Sequence, residues 1–131
     1  MHHVFYSDGN AKRISWVIQT DDSEIEQSRD HVSIYRDKVT DLQSKYVALH
    51  VGLFWGIGVF IIKNEDTVKI KFDDKIMFNQ VMLDSEIKDQ FIQKRIQFIK
   101  QLITQRRLKV KFELINIDEN VAKKNIQDKE D

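Results

Sequence analysis

The chain has 131 residues, 41% hydrophobic and 32% charged, a composition typical of one soluble globular domain and too apolar for a disordered segment. Lysine plus arginine and aspartate plus glutamate each total 21, so no global charge draws the chain to nucleic acid or membrane, and any such binding needs a local patch. Cysteine is absent, which excludes disulfides, thiolate metal sites and cysteine nucleophiles. With no basic run followed by an apolar core at the N-terminus, we expect no secretion signal and a cytoplasmic location.

The first elements are predicted to be strands. Residues 4–6 form a β-rich run that the turn cluster Ser-Asp-Gly-Asn stops, and residues 14–19 alternate between apolar and polar in the manner of a strand. Residues 21–30 are polar and mostly acidic, which favours a loop. Residues 31–35 are predicted to be the third strand, with Val32 and Ile34 on one face.

Residues 46–62 form the most apolar segment, 17 residues without a charge between Lys45 and Lys63. A membrane span needs about 20 such residues, and this segment also holds His50 and three glycines. We therefore predict a core helix over residues 41–62, buried on all sides, and no membrane partner.

The second half alternates strands and helices. Residues 67–72 are predicted to be a strand, 74–83 a short helix, 85–105 an amphipathic helix, 109–115 a strand and 118–131 a charged helical tail. The order β-β-β-α-β-α-α-β-α indicates an α/β fold in one domain, residues 1–128, with 129–131 as a charged end.

Several segments resemble type 1 ribonucleases H in the same order. VFYSDG (residues 4–9) is similar to that family's first strand, and TDLQSKYVAL (40–49) to its Thr-Asn-Asn-x-Ala-Glu-Tyr-x-Ala-Leu segment. Residues 68–81 resemble its fourth strand and following helix, and residues 92–120 its late helix, fifth strand and loop. The resemblance covers about residues 3–128 and implies a ribonuclease H-like, five-stranded mixed sheet with helices on both faces.

The resemblance also implies which residues stand at the four catalytic carboxylate positions. They are Asp8, Lys45, Asp73 and Lys124, where a shift of one residue would give Lys123 or Asn125 instead of Lys124. Two-metal catalysis needs clustered carboxylates to hold two divalent ions. Two lysines among the four positions bring the charge to zero without metal, so we expect a catalytically inactive site with no cofactor.

Recognition of the family's substrate is also expected to be reduced. The glycine-rich loop after the first strand is missing, and the paired asparagines of the family are Asp41 and Leu42 here. Only Thr40 remains, at the position that helps to hold a DNA phosphate in the family.

A basic run from residue 94 to residue 111 contains no acidic residue. Such a run can neutralise phosphates without sequence preference, although it is also typical of a solvated helix face and edge strand, and it offers no exposed aromatic for stacking. Our candidate nucleic-acid contacts are Thr40, Lys94, Lys100, Arg106, Arg107, Lys109 and Lys111.

Four further residues could have a functional or a structural role, and for each we favour the structural one. Asp74 could join Asp73 as a metal ligand or simply cap the next helix, which we favour. Lys45 could be a catalytic lysine of depressed pKa or, as we favour, the ion-pair partner of Asp8. His50 is interpreted as a hydrogen-bonded core residue, and His31 as a strand residue without a ligand partner.

The sequence thus leads to the hypothesis of a catalytically inactive binding module for nucleic acid backbone or for a protein partner. Two alternatives stay open. One is an active nuclease that recruits Mg²⁺ or Mn²⁺ through Asp8, Asp73 and Asp74, and the other is a purely structural or protein-interaction domain. The sequence does not determine the identity of the partner or the oligomeric state.

Overall fold

The computed structural model describes residues 1–83 and 87–127. The five strands are β1 (His2–Gly9), β2 (Arg13–Thr20), β3 (Ser23–Asp30), β4 (Thr67–Phe72) and β5 (Lys109–Leu114). The helices are α1 (Asp41–Gly58), α2 (Lys75–Met82) and α3 (Gln90–Gln105), followed by two short 3-10 turns, Ile117–Glu119 and Lys123–Asn125.

The strands form one mixed sheet in the order β3-β2-β1-β4-β5. β1 pairs antiparallel with β2 and parallel with β4, while β3 and β5 form the two edges. This architecture confirms the predicted fold class. The parallel pairing of β1 with β4 brings their carboxyl ends to the same end of the sheet, where the candidate site lies.

The predicted third strand was wrong. Residues 31–35 form hydrogen-bonded turns, and the third strand is β3, in the polar segment predicted to be a loop. β3 pairs only with β2 and most of its side chains are exposed, so it needs no alternating apolar residues. Charged residues on an edge strand also discourage pairing with other chains, which is why this composition suits the position.

Helix α1 begins at the predicted position but ends earlier. A capping box holds its start: the Gln43 N–H donates to Thr40 Oγ1 at 3.1 Å, and the Thr40 N–H donates to Gln43 Oε1 at 2.9 Å. The helix ends at Gly58, because the chain turns at Phe60, whose φ of 64° is left-handed. None of the described helices is long and apolar enough to cross a membrane.

Helix α3 packs on α1 and also starts later than predicted. Asp89 caps it by accepting the N–H of Phe91 at 2.9 Å, so residues 87–89 precede the helix, and residues 85 and 86 of the prediction lie outside the described residues. Its buried residues Ile92, Ile96 and Ile99 recur every three or four residues, as the predicted amphipathic helix requires. They complete the core between α1, α3 and one face of the sheet.

The C-terminal segment covers part of the opposite face of the sheet. The Ser15 hydroxyl, which alternates with the core residue Trp16 on β2, donates to the Ala122 carbonyl at 2.6 Å. Asn10 donates to the Ile126 carbonyl at 3.0 Å. Where the sequence predicts a helix over 118–131, the described part contains two 3-10 turns, and residues 128–131 lie outside the described residues.

Close approach of α1 to the sheet depends on Gly52. A Cβ at this position would lie 2.7 Å from Phe5 Cζ and 2.8 Å from Trp16 Cγ, and both rings are fully buried. We expect Gly52→Ala to lower the free energy of unfolding by about 2 kcal/mol, because the core must shift to admit the methyl group. Urea unfolding measures this change.

Gly58→Ala is the matched control, because a Cβ at Gly58 in the same helix meets nothing within 4 Å. We expect it to leave stability unchanged or raise it by up to about 1 kcal/mol through helix propensity. Equal effects of the two substitutions would contradict the close packing of α1 on Phe5 and Trp16.

Candidate functional site

The carboxyl ends of β1 and β4 place two aspartates side by side. Asp8 is the next-to-last residue of β1, and Asp73 directly follows the last residue of β4. Their side chains are almost completely buried, with exposed fractions of 1% and 2%. Asp74 caps α2 by accepting the Met77 N–H at 3.0 Å, as the capping interpretation expects.

Lys45 extends from the second turn of α1 into this group of carboxylates. Its Nζ lies 3.4 Å from Asp73 Oδ1, 3.6 Å from Asp74 Oδ2 and 3.9 Å from Asp8 Oδ1. Burial acts to lower the pKa of Lys45, but the nearby carboxylates outweigh burial and raise the pKa above its ordinary value of 10.5. Lys45 is therefore a charged ion-pair partner at neutral pH and lacks the depressed pKa of a nucleophilic lysine.

A second lysine reaches the same carboxylates from the C-terminal segment. Lys123 Nζ lies 3.4 Å from Asp8 Oδ2 and 4.0 Å from Asp73 Oδ2. Lys124, which the resemblance placed at this position, instead contacts Glu26 Oε1 on β3 at 3.1 Å. The residue beside Asp8 is therefore the one-residue-shifted alternative, Lys123.

Opposing effects act on the pKa of Asp8. Burial raises its pKa above the ordinary 3.8, and the negative charge of Asp73 raises it further. The Gly9 N–H, which donates at 2.8 Å, and the ammoniums of Lys123 and Lys45 oppose this shift. The two lysines therefore offset the electrostatic free energy that burying two neighbouring carboxylates would otherwise cost.

Asn120 is a site residue that the sequence analysis did not single out. Its Nδ2 donates to the Ser7 carbonyl at 3.0 Å and lies 3.2 Å from Asp73 Oδ2. Its Oδ1 accepts the Ala122 N–H at 3.1 Å. Asn120 therefore fixes the chain just before Lys123. The sequence held one indication of this role: Asn120 ends the segment, residues 92–120, that resembles a late helix, a strand and a loop of the family.

The two-metal site implied by the resemblance does not fit these residues. A magnesium ion needs oxygen ligands at about 2.1 Å, yet Lys45 and Lys123 already lie against the oxygens of Asp8 and Asp73. Within residues 1–83 and 87–127, no group of three or more His, Cys, Asp or Glu side chains has an arrangement able to hold a metal ion.

The predicted nucleic-acid contacts lie on several elements of the fold. Lys94 and Lys100 are exposed on α3, and Arg106 and Arg107 follow its C-terminal end, where Arg107 pairs with Glu65 at 3.5 Å. Lys109 and Lys111 lie on β5, and Lys109 pairs in register with Thr67 at the start of β4, the end away from Asp73. Thr40 uses its hydroxyl in the α1 cap.

The two histidines that the sequence analysis considered have protein partners. His50 Nδ1 lies 2.9 Å from Arg95 Nη1, which agrees with a hydrogen-bonded histidine in α1. His31 is buried outside any strand, with Nε2 at 2.7 Å from Ser44 Oγ and 3.0 Å from the Asn10 carbonyl. The first interaction joins α1 to α3, and the second joins the residue after β3 to α1 and to the turn after β1.

Neither a protein-family model nor a curated protein matches the chain. Solved ribonuclease H structures do resemble it. Ribonuclease H1 of Halobacterium salinarum NRC-1 has a TM-score of 0.76 at 16% identity, covering 92% of this chain and 89% of that one. An N-terminal ribonuclease H domain from Mycobacterium tuberculosis has a TM-score of 0.68 at 19% identity, covering 94% and 88%.

A ribonuclease H1 isolated from compost by a metagenomic approach, solved with an RNA/DNA hybrid, has a TM-score of 0.68 at 18% identity. The alignment covers 93% of this chain and 91% of that one. The chain therefore has a ribonuclease H-like fold. At these identities the likeness establishes the fold alone.

The Lys45 ion pairs are testable through stability. We expect Lys45→Ala to lower the free energy of unfolding by about 3 kcal/mol at pH 7, because it leaves the two buried carboxylates with Lys123 as their single neighbouring ammonium among the described residues. Without Lys45 the pKa of Asp8 rises further, so the folded state of the variant binds protons more tightly than the unfolded state. The deficit relative to the unsubstituted protein should therefore shrink as the pH falls from 7 towards 4.

Urea unfolding at pH 7 and pH 4 provides both comparisons. Lys75→Ala is the control, since Lys75 is exposed on α2. A Lys45→Ala variant as stable as Lys75→Ala would refute the ion-pair role.

Proposed function

We propose that this domain binds nucleic acid through the sugar-phosphate backbone and does not cleave it. One observation carries the proposal. In a ribonuclease H-like fold, at the ends of β1 and β4, the ammoniums of Lys45 and Lys123 lie within 4.0 Å of the paired carboxylates of Asp8 and Asp73.

Charge balance explains why this arrangement disfavours metal-dependent cleavage. Three aspartates, Asp8, Asp73 and Asp74, contribute three negative charges and the two lysines two positive charges, leaving one negative charge. A divalent ion would have to displace these ion pairs and then remain close to both ammoniums. An ammonium can balance a carboxylate, but it cannot act as a Lewis acid or coordinate and activate water as a bound metal does.

Two observations support nucleic acid as the partner. A structure with the same fold, the compost ribonuclease H1, was solved in complex with an RNA/DNA hybrid. In addition, this chain of zero net charge carries local groups of lysine, such as those on β4 and β5. Contacts of this kind act on phosphates and give sequence-independent, salt-sensitive binding.

The first test is an incubation of the protein with a labelled RNA/DNA hybrid in Mg²⁺ and separately in Mn²⁺. We expect no cleavage, together with binding by fluorescence anisotropy that weakens steeply with salt. Asp73→Asn controls for a contaminating nuclease. Cleavage by the unsubstituted protein that disappears in Asp73→Asn would establish the active alternative and overturn the proposal.

Replacing the two lysines with carboxylates should create metal affinity. We expect the double variant Lys45→Glu/Lys123→Asp to gain thermal stability on adding millimolar Mn²⁺, because it gathers additional carboxylates around Asp8 and Asp73. The control Lys45→Gln/Lys123→Asn removes the same ammoniums without adding charge. Equal stabilisation of the unsubstituted protein by Mn²⁺ would contradict the charge argument.

A second candidate function, a protein-interaction domain, is favoured by exposed aromatic side chains on the helical layer. Phe54 on α1 is 62% exposed, Phe60 just after α1 is 78% exposed, and Phe98 on α3 is 46% exposed. Phe98 lies within the basic run, so the prediction that this run offers no exposed aromatic was wrong. If nucleic acid binds through phosphate contacts, as we propose, substituting Phe54 and Phe98 by serine should leave nucleic-acid binding unchanged. Loss of that binding in a folded variant would mean that this layer is the nucleic-acid interface.

A further inference from the structure

The face of the sheet opposite α1 carries four lysines on two neighbouring strands. β4 alternates its core residues Val68, Ile70 and Phe72 with lysines that point to the other face, and β5 alternates in the same way around Val110 and Phe112. We call this group the lysine face. Its members are Lys69, Lys71, Lys109, Lys111 and Glu113.

Contacts within the group establish that both strands contribute to one surface. Glu113 Oε2 lies 3.9 Å from Lys69 Nζ, and Glu113 Oε1 lies 4.0 Å from Lys71 Nζ. Lys71 Nζ lies 5.7 Å from the centre of the Tyr6 ring on β1. The face therefore extends from β5 across β4 to β1.

Positive charge predominates on the lysine face. One carboxylate stands against four ammoniums, which leaves a charge of plus three. Lys109 and Lys111 are exposed and form no ion pair with any residue of the described ranges. Because the chain as a whole is neutral, folding has created a local field that composition alone does not indicate.

The geometry of the lysine face suits an extended polyanion. Lysines two residues apart on one strand are about 7 Å apart, and neighbouring strands are about 4.8 Å apart. The strands hold these positions rigidly, so binding needs to order only the side chains. Lys71 lies two residues before Asp73, so the lysine face continues to the carboxylate cluster and Lys123.

As far as residue 127, the C-terminal segment leaves this part of the sheet open. Its second 3-10 turn, Lys123–Asn125, contacts β1 and β2. Lys69 keeps 44% of its side chain exposed and Lys71 keeps 22%. An approaching strand can thus reach the lysines from solvent.

We propose that the lysine face is the surface that contacts the nucleic-acid backbone. This inference rests on the proposed function and adds where the phosphates bind, namely along β4 and β5. The lysine face includes Lys109 and Lys111 of the basic run and leaves out that run's members on α3. Lysine ammoniums bind phosphate charge and do not distinguish one base from another. Lys71 lies over the Tyr6 ring, so this ring does not offer a surface on which a base could stack. Binding through this face is therefore independent of base sequence.

Nucleic acid fits this surface better than an anionic membrane. Binding to a membrane surface generally combines basic residues with apolar side chains that insert into the lipid. The outward residues of β4 and β5 are Thr67 and the members of the lysine face, while the apolar residues of β4 are buried in the core. The surface thus offers charge without an inserting group.

The test measures binding of a fluorescein-labelled 20-nucleotide single-stranded DNA and of an RNA/DNA hybrid by anisotropy at several salt concentrations. We expect Lys69→Gln/Lys111→Gln to weaken binding about tenfold at 50 mM salt. On the single strand, the slope of the logarithm of the binding constant against the logarithm of the salt concentration should become shallower by about 1.4. This change corresponds to two lost phosphate contacts. The control Lys94→Gln/Lys100→Gln removes the same charge from α3 and should bind like the unsubstituted protein.

A variant of opposite expected effect excludes misfolding as the cause. Glu113→Gln removes the single carboxylate of the lysine face, so it should tighten binding and steepen the salt dependence. Binding that is unchanged in both lysine-face variants, or lost only in the α3 control, would overturn the inference and leave the proposed function standing.

Two other outcomes are distinguishable. No binding of either nucleic acid by the unsubstituted protein at 50 mM salt would overturn the proposed function together with this inference. Association with phosphatidylserine vesicles that disappears in Lys69→Gln/Lys111→Gln, without nucleic-acid binding, would assign the face to a lipid surface and overturn the inference.

Discussion

The burial of Asp8 and Asp73 next to each other is the constraint around which the site is organised. The parallel pairing of β1 and β4 brings the two carboxylates together, and burial makes their negative charges costly unless cations approach. Lys45 from α1 and Lys123 from the C-terminal segment supply these cations. Four separate parts of the chain, two strands, a helix and the C-terminal segment, are thereby joined at one end of the sheet.

A covalently attached ammonium satisfies the same electrostatic need as a bound metal ion but offers different chemistry. It neutralises a carboxylate and donates hydrogen bonds, whereas a divalent ion also coordinates water and stabilises a leaving oxygen. Our proposal is that the fold persists here without the basis for phosphodiester cleavage. In our proposal, the surrounding surface keeps the capacity to hold a phosphate backbone, and the carboxylate cluster becomes a structural element.

The sheet determines which charged residues of this neutral chain lie next to each other. The basic run in the sequence is divided among α3, the turn after it and β5. The lysine face instead combines β4 with β5, two strands that are separated in sequence by α2 and α3. Alternation along each strand puts apolar side chains in the core and lysines on the open face, and parallel pairing places the two sets of lysines together.

Local sequence patterns determined the order of most elements, the cap formed by Asp74 and the buried spacing on α3, and the family resemblance indicated two lysines among the aspartates. Each depends on residues close in sequence, or on a motif of fixed spacing. Tertiary structure decided what depends on distant partners. β3 forms because β2 offers hydrogen bonds to a polar edge strand, and α1 ends at Gly58 where the chain turns. Lys123 rather than Lys124 reaches Asp8 because Asn120 and Ala122 fix the segment against the sheet, a contact between parts of the chain more than 100 residues apart.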